Sequence, residues 1–190
     1  MLKELCYVTG NEGKFAEVRA FFARHVPELN ITQAPLEIDE LQNPDMRVVA
    51  LDKAQKAWQQ LQKPLLIDDT GFYFDAYNNF PGTFTKHLYQ GIGFEGIFKL
   101  IDKNRGAMMQ TCLVYIDGNE SYQLFESKIH GTILTKPQGI APKGLYSFAY
   151  FQPDGCDKTY GQLNGTPEAE HYLTRQIALK QFLAWANKKI

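Results

Sequence analysis

The sequence predicts an α/β fold built around a mixed β-sheet, and three observations support this. In the first half, short apolar runs alternate with stretches of helical periodicity in the order strand, helix, strand, helix, strand. The middle of the chain holds strand-like segments on either side of the turn signal Asp117-Gly118-Asn119. A helical stretch follows near the end. This pattern indicates a mixed sheet flanked by helices.

The elements of the first half follow from apolar periodicity and from the turn residues between the periodic segments. We predict strands at 4–9, 30–36 and 64–68, with helices at 14–24 and 44–61 between them. A loop then extends to about Gly82, and a short helix covers 94–103.

The second half is predicted to hold three strands, an irregular segment and a helix. The strands lie near 109–117, 120–127 and 129–134, and the irregular segment is 136–168. Thr166-Pro167-Glu168 offers a hydroxyl cap, a proline at the first helical position and an acid in the first turn. It predicts the start of a final helix that runs to about Ala186.

Length and composition fit one domain over residues 1–190, with an ordinary hydrophobic share of 44%. The net charge of -1 gives no field to attract nucleic acid or an anionic membrane. No apolar run approaches the ~20 residues that span a bilayer. Cys6, Cys112 and Cys156 lie far apart without a CxxC pair, which is typical of a reducing compartment. We therefore expect a cytoplasmic protein whose partners include neither nucleic acid nor membrane.

The stretch VTGNEGK, residues 8–14, turns from the first strand into the first helix. Gly10 and Gly13 allow a close backbone approach and the helix start offers free N–H groups, so with Lys14 the segment predicts a phosphate cradle. It is not the nucleotide P-loop, which needs GxxxxGK followed by Ser or Thr. The alternative is that Asn11 only caps the helix and Lys14 is solvated.

Lys53 falls on the apolar side of the predicted helix 44–61. The apolar stripe consists of Met46, Ala50, Ala54, Ala57 and Leu61. A lysine there must either extend its ammonium group to the surface or meet an anion. Upstream, EIDELQNP supplies Glu37, Asp39 and Glu40, which either compensate the helix dipole or hold Mg²⁺.

Asp68 and Asp69 follow the apolar run Leu65-Leu66-Ile67, at the predicted end of a strand. Ligands of open α/β sheets bind beyond the carboxyl ends of strands. Successive strand residues face opposite sides, so one carboxylate should face the cleft and the other should make structural hydrogen bonds. Lys86 adds a further cation after the turn at Pro81-Gly82. Together, the lysines and acids predict metal-assisted attack on a phosphoanhydride.

At this point the residues resemble the inosine/xanthosine triphosphate pyrophosphatase family, which removes deaminated purine nucleotides. The matching segments cover nearly the whole chain in order. They are Thr9–Lys14, Glu40–Gln42, Lys53-Ala54, Asp68–Gly71, Pro81-Gly82 with Lys86, Gly131 with Pro137 and Gly139, Phe151–Gly155, and Lys158–Tyr160. TGNxxK, DDTG and PDGxxKT in this order form a specific combination.

The resemblance implies an elongated mixed sheet in two lobes around a central cleft, usually in a homodimer. It also implies Mg²⁺-dependent splitting of a nucleoside triphosphate into a monophosphate and pyrophosphate. Carried over by position, the phosphate-binding residues are Thr9, Asn11, Lys14 and Lys86. Glu40 and Asp69 would hold Mg²⁺, and Asp69 would also be the base for the attacking water. Lys53 would stabilise charge developing on the phosphates.

The base-recognition end departs from the family pattern. An aspartate position holds Phe148, a lysine position holds Ala169, and Ser-His-Arg is replaced by Leu173-Thr174-Arg175. The base would contact Tyr146, Phe148, Thr174 and Arg175, although packing is an equal alternative for the aromatics. Lost hydrogen-bonding groups change or relax base preference.

Three hypotheses remain at the level of the sequence. The leading one is a pyrophosphatase for an aberrant nucleotide such as ITP, dITP or XTP. The second is a nucleotide-binding or sensor protein that has lost catalysis, and the third is a related phosphohydrolase for pyrimidine or modified nucleotides.

Overall fold

A computed structural model describes residues 3–118 and 121–189 of the chain. Within these ranges seven strands form one mixed sheet in the order β2-β1-β3-β5-β6-β7, with β4 paired to β3. The strands are β1 (Glu4–Val8), β2 (Asn30–Ala34), β3 (Leu65–Phe74), β4 (Pro81–Gly82), β5 (Gly106–Ile116), β6 (Tyr122–Ile133) and β7 (Phe151–Pro153). The helices are α1 (Glu12–His25), α2 (Met46–Leu61), α3 (Thr85–Leu100), α4 (Tyr160–Leu163), α5 (Ala169–Tyr172) and α6 (Thr174–Lys189), and a 3-10 helix covers Tyr146–Ala149.

The predicted mixed sheet is confirmed. The strands β1, β2 and β3 run parallel, joined by α1 and α2, whereas β3, β5, β6 and β7 pair antiparallel in turn. The loop between β5 and β6 closes where Asp117 N donates to Ser121 O (3.1 Å), as a hairpin requires. Asn119, the third residue of the predicted turn, lies outside the described residues.

The strand β3 is longer than the prediction of 64–68, and it includes residues expected to form a loop. It continues through Thr70 to Phe74 because it pairs with β5 along its whole length, up to Phe74 opposite Ala107. Phe72 and Phe74 on this extension are buried. Asp68 and Asp69 therefore lie in the middle of a strand, and their predicted position at a strand end is wrong. Likewise, β6 is one strand where two were predicted, because β5 pairs with it without interruption.

The helix α3 begins at Thr85, nine residues before the predicted start of the short helix. Gly91, Gly93 and Gly96 lower its helix propensity, and Gly93 adopts a non-helical conformation (φ 61°) that kinks it. Tertiary packing overrides this weak propensity, because Leu88, Tyr89 and Phe94 pack against a hydrophobic core cluster.

The predicted final helix is divided into α5 and α6 at Leu173, whose ψ of 117° is extended. Thr166 does not cap it. Its hydroxyl donates instead to Leu163 O (2.7 Å), the carbonyl of the last residue of α4. The segment 136–168, predicted to be irregular, contains the 3-10 helix, β7 and α4.

Buried hydrophobic residues form three clusters. Two lie around β1, β3 and β5, one against α1 and α6 and the other against α2. The third lies toward the Phe74 end of β3, among α3, the 3-10 helix, β7 and α4. The residues between the third cluster and the other two line a large cavity. In the described part of the chain, no helix has both the length and the apolar character to cross a membrane.

Candidate active site

The candidate site lies where β1 ends beside the longer strand β3. The two strands pair only at Cys6 with Leu65 and at Tyr7 with Leu66. Beyond these pairs, β3 continues to Asp68 and Asp69 while the chain leaves β1 through the loop 9–11 into α1. A cavity of about 1070 Å³ opens at this point.

The cavity brings together almost all the residues that the sequence singled out. Its lining includes Thr9, Asn11, Lys14, Glu40, Lys53, Asp69, Lys86, Tyr146, Phe148 and Arg175. Thr174 is not among the lining residues. It is 2% exposed and its hydroxyl is bonded to Thr111 Oγ1 (2.8 Å), so the structure gives no support to its predicted contact with a base.

The loop before α1 is held by its own side chains. Asn11 Oδ1 accepts the N–H of Lys14 (3.1 Å), Asn11 Nδ2 donates to Gly144 O (2.9 Å), and Thr9 Oγ1 accepts the N–H of Asn11 (3.1 Å). The alternative that Asn11 caps the helix is therefore confirmed, while the solvation of Lys14 is not. Lys14 Nζ lies 3.0 Å from Asp68 Oδ2 inside the cavity.

Gly13 has a different role from the one predicted. A Cβ at this residue would lie 2.5 Å from Lys143 O, so the missing side chain lets the start of α1 pack against the segment 142–145. Gly144 in that segment has a φ of +80°, which favours glycine, and a Cβ there would meet Asn11. The close approach at Gly13 thus joins two protein segments, whereas a Cβ at Gly10 would meet open space.

Lys53 contacts two acids, in agreement with the alternative that a lysine on the apolar stripe meets an anion. Its Nζ lies 2.9 Å from Glu40 Oε1 and 3.8 Å from Asp69 Oδ1, and its side chain is mostly buried. Burial alone would lower the pKa of this ammonium group, but Asp69 and Glu40 raise it. Lys53 therefore keeps its charge in the cavity.

Asp69 is a mostly buried acid whose pKa is shifted by its surroundings. Burial raises the pKa of its carboxyl group above 3.8, although Lys53 and Lys14 oppose this change. For Glu40, burial also acts to raise the pKa, but the contact with Lys53 outweighs it and the pKa is lowered. The pKa values of the two carboxyl groups beside one ammonium group are therefore shifted in opposite directions.

Asp68 makes the structural hydrogen bonds that strand alternation predicted for one of the two aspartates. It accepts from the Tyr7 hydroxyl, from Thr70 Oγ1 (3.0 Å), and from Arg175 Nη2 (3.1 Å). Burial alone would raise the pKa of this carboxyl, but Arg175 and Lys14 hold it well below its usual range. Asp68 remains ionised and positions Lys14.

Arg175 belongs to this buried network and also lines the cavity, and its contact with a base stays a prediction. It is 2% exposed, and its guanidinium group lies 2.5 Å from Glu17 Oε2 as well as against Asp68. Sequence reasoning missed Glu17 and Tyr7. Glu17 carried a usable signal, because it lies one turn before Phe21 on the buried face of α1 and an acid on an apolar face needs a partner.

The two aromatic side chains predicted to contact a base pack against other rings. Tyr146 stacks on Tyr89 with ring centroids 5.4 Å apart, and Phe148 is 3% exposed and packs edge-on against Tyr160 (5.3 Å). Tyr146 is half-exposed. Of these two predicted base contacts, Tyr146 has an exposed ring, whereas Phe148 is mainly part of the core.

The sequence is similar to that of a known protein family over most of its length. A sequence model of the Ham1 family matches residues 5–185. The chain belongs to the Ham1 family. Among relatives of this Ham1 chain, a dITP/XTP pyrophosphatase of Thermococcus kodakarensis is 31% identical over 98% of both chains. An inosine triphosphate pyrophosphatase of Kluyveromyces lactis is 31% identical over 84% of both.

Solved structures of Ham1 proteins show the same fold. The Staphylococcus aureus Ham1 protein superposes with a TM-score of 0.76 at 18% identity, over 99% of this chain and all of that one. A HAM1 protein from Coxiella burnetii gives a TM-score of 0.76 at 19% identity over the full length of both chains. The α/β fold and the family resemblance expected from the sequence are therefore confirmed.

Proposed function

We propose that this Ham1 chain hydrolyses a nucleoside triphosphate to a monophosphate and pyrophosphate, with Mg²⁺ as cofactor. The observation that carries the proposal is the convergence of Lys14, Lys53 and Asp69, from α1, α2 and β3, on one cavity. The names of the relatives support the same reaction for this chain and point to dITP, ITP or XTP as substrates.

The chemistry follows from the charges at the phosphate end. The Asp69 carboxylate accepts the proton of the attacking water, since its raised pKa makes it a better base than an exposed aspartate. Lys53 and Lys14 stabilise the negative charge that develops on the phosphate oxygens as the phosphoanhydride bond breaks. Thr9, Asn11 and Lys86 also line the cavity, which supports assigning them to the phosphate site.

The donors present fit Mg²⁺ when the substrate is bound. Over residues 3–118 and 121–189, no group of three acidic, histidine or cysteine side chains could hold a metal by itself. Glu40 and Asp69 nevertheless face one ammonium group, and Mg²⁺ is commonly held by one or two carboxylates with substrate phosphates supplying further oxygens. Bound there, Mg²⁺ would supply charge neutralisation on the phosphates.

A substrate panel tests the proposal directly. We expect pyrophosphate release when folded protein is incubated with Mg²⁺ and a set of NTPs and dNTPs that includes ITP, dITP, XTP, UTP and dUTP. Nucleotide binding by calorimetry without any product would favour the alternative of a catalytically silent binding or sensor protein. Turnover confined to pyrimidine nucleotides would favour the third hypothesis.

Replacing Lys53 by methionine is expected to lower kcat/KM by about 10- to 100-fold. A charge-assisted hydrogen bond contributes roughly 1.5–3 kcal/mol, and the apolar stem of methionine fits the partly buried position. Steady-state kinetics against Lys128→Met supplies the control, because Lys128 is a half-exposed lysine paired with Glu126 and does not line the cavity. Equal losses in the two variants would contradict a role for Lys53.

The pH profile of kcat/KM is expected to be bell-shaped. Asp69 must be ionised, and its pKa lies above 3.8, so activity falls as the pH drops through that raised value. Lys14 must be charged, and burial lowers its pKa below 10.5, so activity falls as the pH rises through that lowered value. The measured limits belong to the coupled cluster as a whole. A flat profile from pH 4 to pH 10 would contradict this assignment.

The location and the assembly are further parts of the proposal. Cys6, Cys112 and Cys156 are free thiols, two of them buried, which fits the reducing cytoplasm expected from their spacing. The near-neutral net charge supports a small nucleotide as the partner, and neither a nucleic acid nor a membrane. A homodimer is implied by the family resemblance, and light scattering after gel filtration would test it.

A further inference from the structure

The carboxylate of Asp68 receives more hydrogen-bond donors than its two oxygens require. Asp68 Oδ1 accepts from the Tyr7 hydroxyl and from Arg175 Nε (3.3 Å). Asp68 Oδ2 accepts from Arg175 Nη2 (3.1 Å), Thr70 Oγ1 (3.0 Å) and Lys14 Nζ (3.0 Å). An ionised carboxylate offers about four acceptor sites. The four donors that remain without Lys14 are therefore enough to satisfy Asp68.

The pairing of β1 with β3 places Tyr7 beside Asp68 on one face of the sheet. Tyr7 lies opposite Leu66 in the parallel ladder, and Asp68 is two residues further along β3. Residues two apart in a strand share a face, so Asp68 lies on the same face as Leu66. Tyr7 and Leu66 belong to the hydrophobic cluster that packs against α1 and α6, the helices that carry Lys14 and Arg175. The network around Asp68 is therefore assembled on this face.

Tyr7 and Lys14 differ in their access to the cavity. Tyr7 is 0% exposed and is not among the cavity-lining residues. Lys14 lines the cavity, and its side chain is 16% exposed. In the structure its ammonium group is bound to Asp68 through Oδ2 (3.0 Å) and also lies 3.4 Å from the carbonyl O of the same residue. A phosphate that enters the cavity must therefore compete with Asp68 for Lys14.

Arg175 holds Asp68 independently of Lys14. Its guanidinium group is 2% exposed and lies 2.5 Å from Glu17 Oε2 as well as against Asp68. The network thus contains two carboxylates and two cations. If Lys14 moves to a phosphate, the charge of Arg175 is shared between Asp68 and Glu17. The hydroxyl donors on Asp68 then stabilise the part of its charge that Arg175 does not.

Tyr7 and Thr70 supply these hydroxyl donors in different ways. Thr70 Oγ1 lies within hydrogen-bonding distance of Thr111 Oγ1 (2.9 Å) as well as of Asp68, and it also accepts from Arg175 Nη2 (3.1 Å). The Tyr7 hydroxyl has a single hydrogen-bond partner within residues 3–118 and 121–189, and that partner is Asp68. Tyr7 is therefore the neutral donor committed to this carboxylate.

We propose that Tyr7 is a positioning residue that allows Lys14 to move from Asp68 to a substrate phosphate. The inference rests on the proposed function for the role of Lys14 as a phosphate ligand. The Tyr7 hydroxyl satisfies Oδ1, so Asp68 binds Lys14 as a surplus donor. Without that hydroxyl, three donors remain besides Lys14, and the ammonium group becomes the fourth that the carboxylate needs. A phosphate would then have to break a stronger ion pair.

Replacing Tyr7 by phenylalanine removes the hydroxyl and keeps the buried ring. Binding of inorganic triphosphate and of the α,β-methylene analogue of dITP, each with Mg²⁺, is measured by calorimetry. We expect the dissociation constants of both ligands to rise about fivefold. A hydrogen bond to a charged group changes an equilibrium constant by more than about tenfold, and part of this would pass to the pair between Lys14 and Asp68. Equal dissociation constants in Tyr7→Phe and the wild type would overturn the inference.

Tyr160→Phe is the matched control. Tyr160 is also 0% exposed, its hydroxyl donates to Tyr172 O (2.6 Å), and it does not line the cavity. This variant loses one buried hydrogen bond without touching Asp68, so its dissociation constants should stay within about 1.5-fold of the wild-type values. A rise as large as that of Tyr7→Phe would assign the effect to general loosening of the fold and would overturn the inference.

A double substitution shows whether Tyr7 acts through Lys14. In Lys14→Met protein no ammonium group is left for Asp68 to retain, so adding Tyr7→Phe should change the dissociation constant of inorganic triphosphate by less than about 1.5-fold. A merely structural effect of the lost hydroxyl would weaken binding by the same factor with or without Lys14. Such an additive result would overturn the inference.

Turnover of dITP separates this inference from the proposed function. For Tyr7→Phe we expect KM to rise about fivefold with kcat within about twofold of the wild-type value, the pattern of lost uniform binding. A fall in kcat with unchanged KM and unchanged binding would overturn the inference. Weaker binding by Tyr7→Phe without turnover by the wild type would support the role of Tyr7 and defeat the proposed hydrolysis. If neither ligand bound to the wild type, both would be overturned.

Discussion

Replacing Asp69 by asparagine is expected to lower kcat by about 10²- to 10⁴-fold, the range that a positioned general base contributes. The amide keeps the size of the carboxylate but cannot accept the proton of the attacking water. Nucleotide binding should persist, because Lys14 and Lys53 are unchanged and one negative charge next to the phosphates has been removed. Single-turnover pyrophosphate release, together with calorimetric binding, separates these two effects.

Asp102→Asn is the matched control for this substitution. Asp102 is a largely exposed aspartate 3.7 Å from Arg105, outside the cavity lining. Both substitutions remove one negative charge from the protein. If Asp69 acts through chemistry and not through net charge, Asp102→Asn should leave kcat within about twofold of the wild-type value. The fold of Asp69→Asn should also remain intact, since the ion pair between Asp69 and Lys53 is long at 3.8 Å. If folded Asp69→Asn protein turned over substrate at the wild-type rate, Asp69 would have no role in the mechanism.

Replacing Arg175 by methionine is expected to lower the free energy of unfolding by about 3–5 kcal/mol. The guanidinium group is the buried partner of both Glu17 and Asp68. Methionine would leave the two carboxylates buried without the guanidinium group, although Lys14 would still pair with Asp68. The unfavourable burial of an unpaired charge accounts for the lower free energy of unfolding. Urea unfolding followed by fluorescence measures it.

Arg47→Met is the comparison for a surface ion pair. Arg47 contacts Asp45 at 2.7 Å, with its side chain 59% exposed, so the loss should stay below about 1 kcal/mol. Double substitution of Glu17→Gln with Arg175→Met tests the coupling, because removing both charges should destabilise the protein less than the sum of the two single changes. Additive effects, or an Arg175→Met loss below 1 kcal/mol, would show that the network does not stabilise the fold.

Most of the candidate active site could be predicted from the sequence. Lys53 was identified because a cation on an apolar helix stripe needs an anion, and the structure places Glu40 and Asp69 beside it. The separate surroundings of Asp68 and Asp69 followed from strand alternation. These inferences depended on helical and strand periodicity, which short stretches of sequence determine.

The length of β3 and the extent of α3 could not be obtained in this way. Thr70–Phe74 becomes strand because β5 pairs with it, and the glycine-containing α3 forms because its aromatic side chains pack on a core cluster. Both outcomes depend on residues distant along the chain. Local propensity gives no information about such partners.

The sequence by itself determined the α/β class, the glycine-containing loop before α1 and the acids and lysines of the candidate site, because each of these leaves a local pattern of charge, glycine and apolar spacing. Only the tertiary structure decided what those charges contact. Arg175 is 158 residues from Glu17 and 107 from Asp68, yet the three form one buried network. Tyr89 of α3 likewise stacks on Tyr146 of the 3-10 helix, with ring centroids 5.4 Å apart. Such contacts depend on how the separate elements pack, so they have no pattern in the sequence around any one of their residues.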